Sequence, residues 1–348
     1  MKNEDGAGKG RYTLEITKAL IQEAPEGVHF YLFSKKPNPA FPSNERVSQI
    51  VIEGRGIWWH LRLARFLHSH PVDFFIAPTI FIFAALAPRK QKLAIVVHDL
   101  IAFLYSRTHA WFPTLVERLT LRRAVQKSRF LICVSQNTAH DLARLFPEAH
   151  KKTVVFAPPA VSAEVHKVTS QKMDLPASYL LGVGTLSPRK NFKLLFEAFT
   201  LLAPAHPRLH IVIAGGAGWK TSAVYKAVPA HLKNRIHFLG RMTTPQLNEL
   251  YSRAEMLVFP SLYEGFGIPP LEAMACTCPV IASSATSVPE VVGDAAIQID
   301  PTNPQALADS VEHLLKPSNK IPYQKKGLER VHHFSWNASA TQILRSIR

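Results

Sequence analysis

Short apolar runs alternate along the chain with longer stretches in which apolar residues recur every three or four positions, a change of period that predicts β-strands separated by helices. In the first half the runs at 28–33, 74–77, 93–97 and 130–134 read as strands, and 12–23, 112–126 and 137–145 as helices, the last capped near Ser135. Prolines and polar residues break the pattern between 159 and 176. A second series follows, with strands expected at 179–183, 209–214, 236–239, 256–259, 280–282 and 296–299 and helices between them. Strands this short and this apolar suit parallel sheets covered on both faces. The expected fold class is α/β, with two Rossmann-like domains facing across a cleft. The expected division is a first domain at 1–162, a linker at 163–177, a second domain at 178–333 and a C-terminal helix at 334–348. With 348 residues, 47% of them hydrophobic, the chain can bury two cores of ordinary domain size.

Charge changes this picture more than composition does. The formal net charge is +16, and residues 1–162 hold 22 Lys and Arg against 12 Asp and Glu. Arg62 with Arg65, and Arg118, Arg122, Arg123 and Lys127, form local clusters that suit an anionic membrane surface as partner. The stretch 57–67 joins apolar and cationic residues at helical spacing; a core-facing helix is the favoured reading, an interfacial helix the alternative. A basic polyanion-binding protein would also carry such charge. No zinc-finger, homeodomain or RNP-type pattern is present, so no specific nucleic-acid partner is expected. Three cysteines, Cys133, Cys276 and Cys278, are too few for a disulfide framework, which points to a reducing, cytoplasmic setting. The apolar segment 74–87 is too short to span a bilayer.

The chemistry concentrates where strands end. Glu264-Gly265-Phe266-Gly267-Ile268-Pro269-Pro270-Leu271-Glu272 places two carboxylates eight positions apart around a glycine-bearing turn from strand to helix. The prolines suit a first helical turn, and the backbone N–H groups of Gly265 to Ile268 would point at an anion together with the positive end of the helix dipole. After the first strand of the second half, Gly182-Val183-Gly184 leads through Ser187-Pro188 to Arg189-Lys190-Asn191, two cations suited to a diphosphate. Gly215, Gly216 and Gly218 follow the next strand; they lack the G-x-G-x-x-G spacing, and close packing accounts for most of them. His98-Asp99-Leu100 sets a histidine at a strand's carboxyl end. Gly6-Ala7-Gly8-Lys9-Gly10-Arg11 opens the chain as a glycine loop without the spacing of a P-loop.

Pro260-Ser261-Leu262-Tyr263 running into Glu264–Glu272 resembles the signature of the retaining glycosyltransferases of family 4, which have the GT-B fold. The resemblance continues through Ala273-Met274-Ala275, 279–283 and 289–296. It departs at Cys276-Thr277-Cys278, where the family usually has a glycine, a loss expected to shift the loop before the next strand. The resemblance implies a catalytic set of His98, Arg189, Lys190 and Glu264. His98 would donate a hydrogen bond to the transferred sugar, Arg189 and Lys190 would hold the nucleotide diphosphate, Glu264 would contact sugar hydroxyls and Glu272 ribose hydroxyls. The donor-binding set would add Gly8 and Gly10, Gly184, Gly215, Arg241, Gly265, Phe266, Gly267 and Ile268. No metal is implied, and no cofactor, since the nucleotide sugar is a substrate. GDP-mannose is favoured over UDP-sugars, and a glycan or lipid-linked acceptor of surface-polysaccharide assembly is implied. Members usually carry a strand before the first glycine loop, where this sequence has polar Met1 to Asp5; the chain therefore reads as truncated, and a catalytically silent GT-B scaffold stands as an alternative.

Overall fold

The computed structural model describes residues 8–79, 81–88, 90–105, 111–161 and 173–347. The segment read as a linker at 163–177 lies largely outside these residues, as do Met1 to Ala7. The chain divides into a first unit that ends at Pro159 and takes in the stretch from Ser335 onward, and a second spanning Ala160–Phe334.

In the first unit, α1 (Gly8–Glu23) leads to β1 (Phe30–Ser34), β2 (Val47–Val51), α2 (Ile57–Ser69), β3 (Phe75–Ala77), α3 (Phe81–Leu86) and β4 (Leu93–Val97). The short α4 (Ile101–Leu104), then α5 (Trp111–Lys127), β5 (Phe130–Cys133), α6 (Gln136–Leu145) and β6 (Thr153–Phe156) complete it, with α14 (Trp336–Ile347) packed on α1. Strands β3-β4-β5-β6 form a parallel sheet in sequence order. β4 and β5 are buried throughout, as strands between two helical layers must be. Ser135 caps α6 as expected, its hydroxyl accepting from the Thr138 N–H at 3.0 Å.

Two sequence expectations need correction here. The run at 28–33 was expected to join the doubly wound sheet, but among the described residues β1 pairs only with β2, and this two-stranded sheet meets the larger one through Phe33 and Phe75, ring centroids 5.9 Å apart. The glycine loop at 6–11 is helical from Gly8 onward, so Gly8 and Gly10 sit in the first turn of α1. Neither is held to glycine by crowding, since a Cβ at either would meet nothing within 4 Å.

The second unit runs β7 (Ser178–Val183), α7 (Phe192–Leu202), β8 (Leu209–Ala214), α8 (Thr221–Lys226), β9 (Ile236–Gly240), α9 (Thr244–Arg253), β10 (Met256–Phe259), α10 (Ile268–Ala275), β11 (Val280–Ser283), α11 (Val288–Val292) and β12 (Ile297–Ile299), then α12 (Pro304–Leu315) and α13 (Pro317–Val331). Its six parallel strands lie in the order β9-β8-β7-β10-β11-β12, the doubly wound Rossmann arrangement. Leu180, Ile211, Met256, Val258 and Ile281 from the sheet pack with Leu195, Phe196 and Phe199 of α7 in a buried core. Connections leave β7 toward one edge of the sheet and β10 toward the other. The crevice between these strands' carboxyl ends is the topological switch point, where open α/β sheets hold ligands.

Candidate active site

Both motifs singled out in the second half end at this switch point. The loop after β7 carries Arg189 and Lys190; the loop after β10 carries Glu264. A single carboxylate oxygen, Glu264 Oε1, receives Lys190 Nζ at 2.6 Å and Arg189 Nη1 at 3.0 Å. Lys190 Nζ also lies 4.8 Å from the centre of the Phe259 ring at the end of β10. Lys190 and Glu264 are both buried, at 8% exposure. Burial alone would raise the Glu264 carboxyl, but the two cations outweigh it and hold the group below the usual carboxylate range. Burial lowers the Lys190 ammonium, and Arg189 adds to that against the pull of Glu264. The result is a compact cluster with two positive charges and one negative at a strand terminus.

Neighbouring residues hold this cluster in place. Asn191 sits in the left-handed conformation at φ 56, and its side-chain amide donates to the carbonyls of Pro260 at 3.1 Å and Pro301 at 2.8 Å. The Arg189 guanidinium donates to the Tyr263 carbonyl, and the Leu262 N–H donates back to the Arg189 carbonyl at 2.9 Å. Ser287 donates from one hydroxyl to the carbonyls of Glu264 and Phe266, each at 2.9 Å, and the Glu264 N–H reaches the Thr286 hydroxyl at 3.1 Å. Gly184 is required by its φ of 148 and by Lys190, whose Cε would lie 2.9 Å from a Cβ there. Gly215 is required by packing: a Cβ would fall 1.9 Å from the Gly184 carbonyl oxygen, so the loops after β7 and β8 could not close together.

Gly267, at φ 101, turns the chain into α10. Pro269 and Pro270 have no N–H, so the donors at this helix start are confined to residues on either side of them. Phe266 directs its ring at Phe334, 5.4 Å away. Glu272 is buried on α10, its Oε2 accepting from the Tyr251 hydroxyl of α9 at 3.1 Å. Burial and then the Glu272 charge push that phenol up, so it remains a donor. Arg241 is exposed after β9. It follows the edge strand of this sheet, and the Gly240 carbonyl beside it accepts from the Gly215 N–H at 2.7 Å. The turn at Cys276-Thr277-Cys278 closes without a glycine. Thr277 itself adopts the left-handed conformation at φ 57, and the Cys278 N–H closes the turn on the Ala273 carbonyl at 2.9 Å.

His98 follows β4 in the first unit. Its Nε2 lies 2.7 Å from the Pro78 carbonyl, and its ring meets Tyr12 edge to face at 4.9 Å. The Tyr12 hydroxyl in turn donates to the Ala157 carbonyl at 2.9 Å. Burial and then Lys9 push His98 down to about 4, so the ring is neutral at pH 7. A carbonyl only accepts, so the ring proton sits on Nε2 and Nδ1 carries the lone pair. The hydrogen-bond donor expected here is therefore an acceptor. Asp99 pairs with Lys9 at 3.0 Å and takes the Ile101 N–H at 3.3 Å, an orienting role. Glu117 of α5 stands near this pair with its Oε1 buried and unbonded, and burial pushes it up to about 7 against Lys9 and with Asp99.

The reading of the sequence missed Asn191, Tyr251, Ser287 and Glu117. Asn191 closes a motif quoted for its two cations and the other three lie outside every motif; Asn191, Tyr251 and Ser287 act through partners far off in the chain.

The fold and the charge cluster at its switch point define a GT-B glycosyltransferase. The family model "Glycosyltransferase Family 4" matches residues 6–164 and "Glycosyl transferases group 1" matches 169–331, so the chain belongs to family 4 of the glycosyltransferases. It is 28% identical to O-antigen chain mannosyltransferase B of Escherichia coli, over 98% of this chain and 96% of that protein. It is 29% identical to the serotype-specific mannosyltransferase WbdA of Escherichia coli over 72% of this chain, a match that spans only 32% of WbdA. Among solved structures, Anabaena HepE in complex with UDP and glucose superposes with a TM-score of 0.77 at 19% identity, covering 100% of this chain and 97% of that one. Sucrose-phosphate synthase from Thermosynechococcus elongatus gives 0.75 at 20% identity, covering 98% and 93%. Among the described residues, no helix is long and apolar enough to cross a membrane.

Proposed function

We propose that the chain transfers mannose from GDP-mannose to a growing or lipid-linked glycan, with retention at the anomeric carbon and with neither a metal nor a separate cofactor. The observation that carries this reading is the paired Arg189 and Lys190 held at the switch point by Glu264. Cations fixed in a buried site stabilise charge as it develops on a leaving diphosphate without reorganising during the reaction. In the proposed step the bond from the anomeric carbon to the phosphate oxygen breaks, and the acceptor oxygen bonds to the same face of that carbon. The acceptor proton passes to the leaving phosphate, so neither Glu264 nor Glu272 becomes a nucleophile. Glu264, held ionised, accepts from sugar hydroxyls, and Glu272, oriented by Tyr251, accepts from ribose hydroxyls. His98 accepts at Nδ1 from a substrate hydroxyl. The backbone of Gly265, Gly267 and Ile268 faces the phosphates.

Mannose is favoured over glucose by the names of the sequence relatives; UDP-sugars are the competing donors. With such an acceptor, the setting proposed is the cytoplasmic side of a membrane. A thermal-shift titration with GDP, UDP and their sugar forms tests the reading. A donor present at about 100 times its dissociation constant adds about 2.7 kcal/mol of stability. Stabilisation by GDP and GDP-mannose that Arg189→Ala and Glu272→Ala each abolish is the expected result. Stabilisation by UDP forms alone would replace the mannose donor, and no shift with any nucleotide in a folded sample would overturn the site.

A further inference from the structure

Outside the charge cluster, the least accounted-for group is a carboxyl on the core-facing side of a helix. On α5, Thr114, Leu121, Ala124 and Val125 are buried, and Glu117 falls in their stripe, three residues after Thr114 and four before Leu121. An apolar side chain is the ordinary occupant of such a position. Glu117 instead buries its Oε1, which has no hydrogen-bond partner among the described residues. An unpaired polar atom out of reach of water costs stability, and an ionised one costs more. Native proteins pair nearly all such atoms, so this one points to a partner that the chain itself does not supply.

The surroundings restrict what that partner is. Lys9 and Asp99 act on both Glu117 and His98, which gathers these four groups at the carboxyl end of β4. Open parallel sheets receive ligands at that end. Lys9 is paired with Asp99 at 3.0 Å, Asp99 also takes the Ile101 N–H, and His98 commits Nε2 to the Pro78 carbonyl at 2.7 Å. What remains toward a ligand is acceptor capacity, on Glu117 Oε1 and on Nδ1 of His98, itself buried at 8% exposure. Asp99 already neutralises Lys9, and a second carboxyl beside it disfavours a phosphate or a carboxylate. A neutral molecule rich in hydroxyl donors fits.

We infer that Glu117 binds the acceptor glycan, its Oε1 taking a hydrogen bond from a hydroxyl of the neutral sugar that receives the transferred unit. This rests on the proposed transfer to a glycan. Glu117 takes no proton in the transfer step; it orients the acceptor. The ionised carboxyl accepts more strongly than the neutral one, so binding should strengthen as pH rises through about 7, where burial sets this group. Lys9 of α1 and Asp99 after β4 are the charges that act on it. Of the elements packed on α5, α3, α4 and β4 carry no titratable side chain. The turn at 147–151 carries Glu148, His150 and Lys151, and Glu148 is taken by Arg122 at 2.8 Å and Gln126 at 3.0 Å.

Methyl α-D-mannopyranoside serves as probe, because the proposed product ends in mannose, and its binding to the full chain is titrated by saturation-transfer NMR at about pH 6 and about pH 8, on either side of the group's transition. The parent chain should bind it, more tightly at the higher pH. Glu117→Gln should weaken binding at about pH 8 by about tenfold or more, the worth of a hydrogen bond to a charged group, and should remove the pH dependence. The same variant should melt no lower than the parent at about pH 8, since it removes a buried charge, whereas a purely structural Glu117 would give a lower melting temperature. Binding should persist in Glu264→Gln. No binding by the parent chain would overturn the inference, as would a Glu117→Gln chain that binds like the parent. Loss in Glu264→Gln with retention in Glu117→Gln would assign the probe to the donor's sugar subsite instead, and displacement by inorganic phosphate would make the site an anion site. Stabilisation by GDP, read separately by thermal shift, should be equal in the parent and Glu117→Gln. A parent chain that binds the mannoside and no nucleotide would overturn the donor reading and leave this one standing.

Discussion

Glu264 is the residue on which the charge balance at the switch point turns. It compensates the buried Lys190 and the partly buried Arg189, and removing one partner of such a cluster leaves the others exposed to the cost of burial. Lys190→Met should therefore destabilise the second unit by about 3 kcal/mol, the low end for a broken buried pair because Arg189 remains. Adding Glu264→Gln should recover part of that loss, and urea unfolding of the two single variants and the double variant reads the coupling; additive losses would mean that the contact carries no net interaction. Glu117 gives a second prediction, from a carboxyl pushed up to about 7. Its folded-state pKa lies above its unfolded value, so the folded chain binds more protons between about pH 4.5 and about pH 7, and this contribution to stability is lost as pH rises through that window. Glu117→Gln should flatten this part of the melting temperature against pH relative to the parent chain. An unchanged slope would place the buried charge elsewhere.

The elements around the switch point show how local conformation fixes those residues. Gly184 allows Lys190 to pass close to the backbone at a φ that side chains rarely adopt, and Gly215 allows two loops to touch. Gly215→Ala should cost more stability than Gly216→Ala, where a Cβ would meet nothing within 4 Å. Thermal melting of the two variants checks the order. After α10 the situation is reversed, because Thr277 holds a left-handed turn that glycine would adopt freely. Thr277→Gly should stabilise the chain by about 1 kcal/mol, the relief of left-handed strain less the added freedom of the unfolded chain. A loss of stability would mean that the Thr277 hydroxyl, which donates to the Cys276 carbonyl at 2.7 Å, outweighs the strain.

At the scale of the whole molecule, a charge of +16 and two α/β units fit an enzyme that handles anionic substrates. The sequence alone determined which segments become strands wherever they are buried on both faces. β4, β8 and β10 begin and end at the positions expected, because continuous apolar runs have no other stable environment. It determined less at the sheet margins: β2 and β6 were not expected, since Val47–Val51 has a polar interior and Thr153–Phe156 is exposed along half its length. Arg189, Lys190, Glu264 and Glu272 were legible because glycines and prolines mark strand ends in the local sequence. Their mutual arrangement was not. Lys190 and Glu264 are 74 positions apart, Asn191 reaches a carbonyl 110 positions away, and Tyr251 reaches Glu272 across 21. Residue type and local period are properties of a segment and can be read from it. Which carboxylate neutralises which cation, and which nitrogen of His98 carries the proton, depend on groups that only the folded sheet brings together.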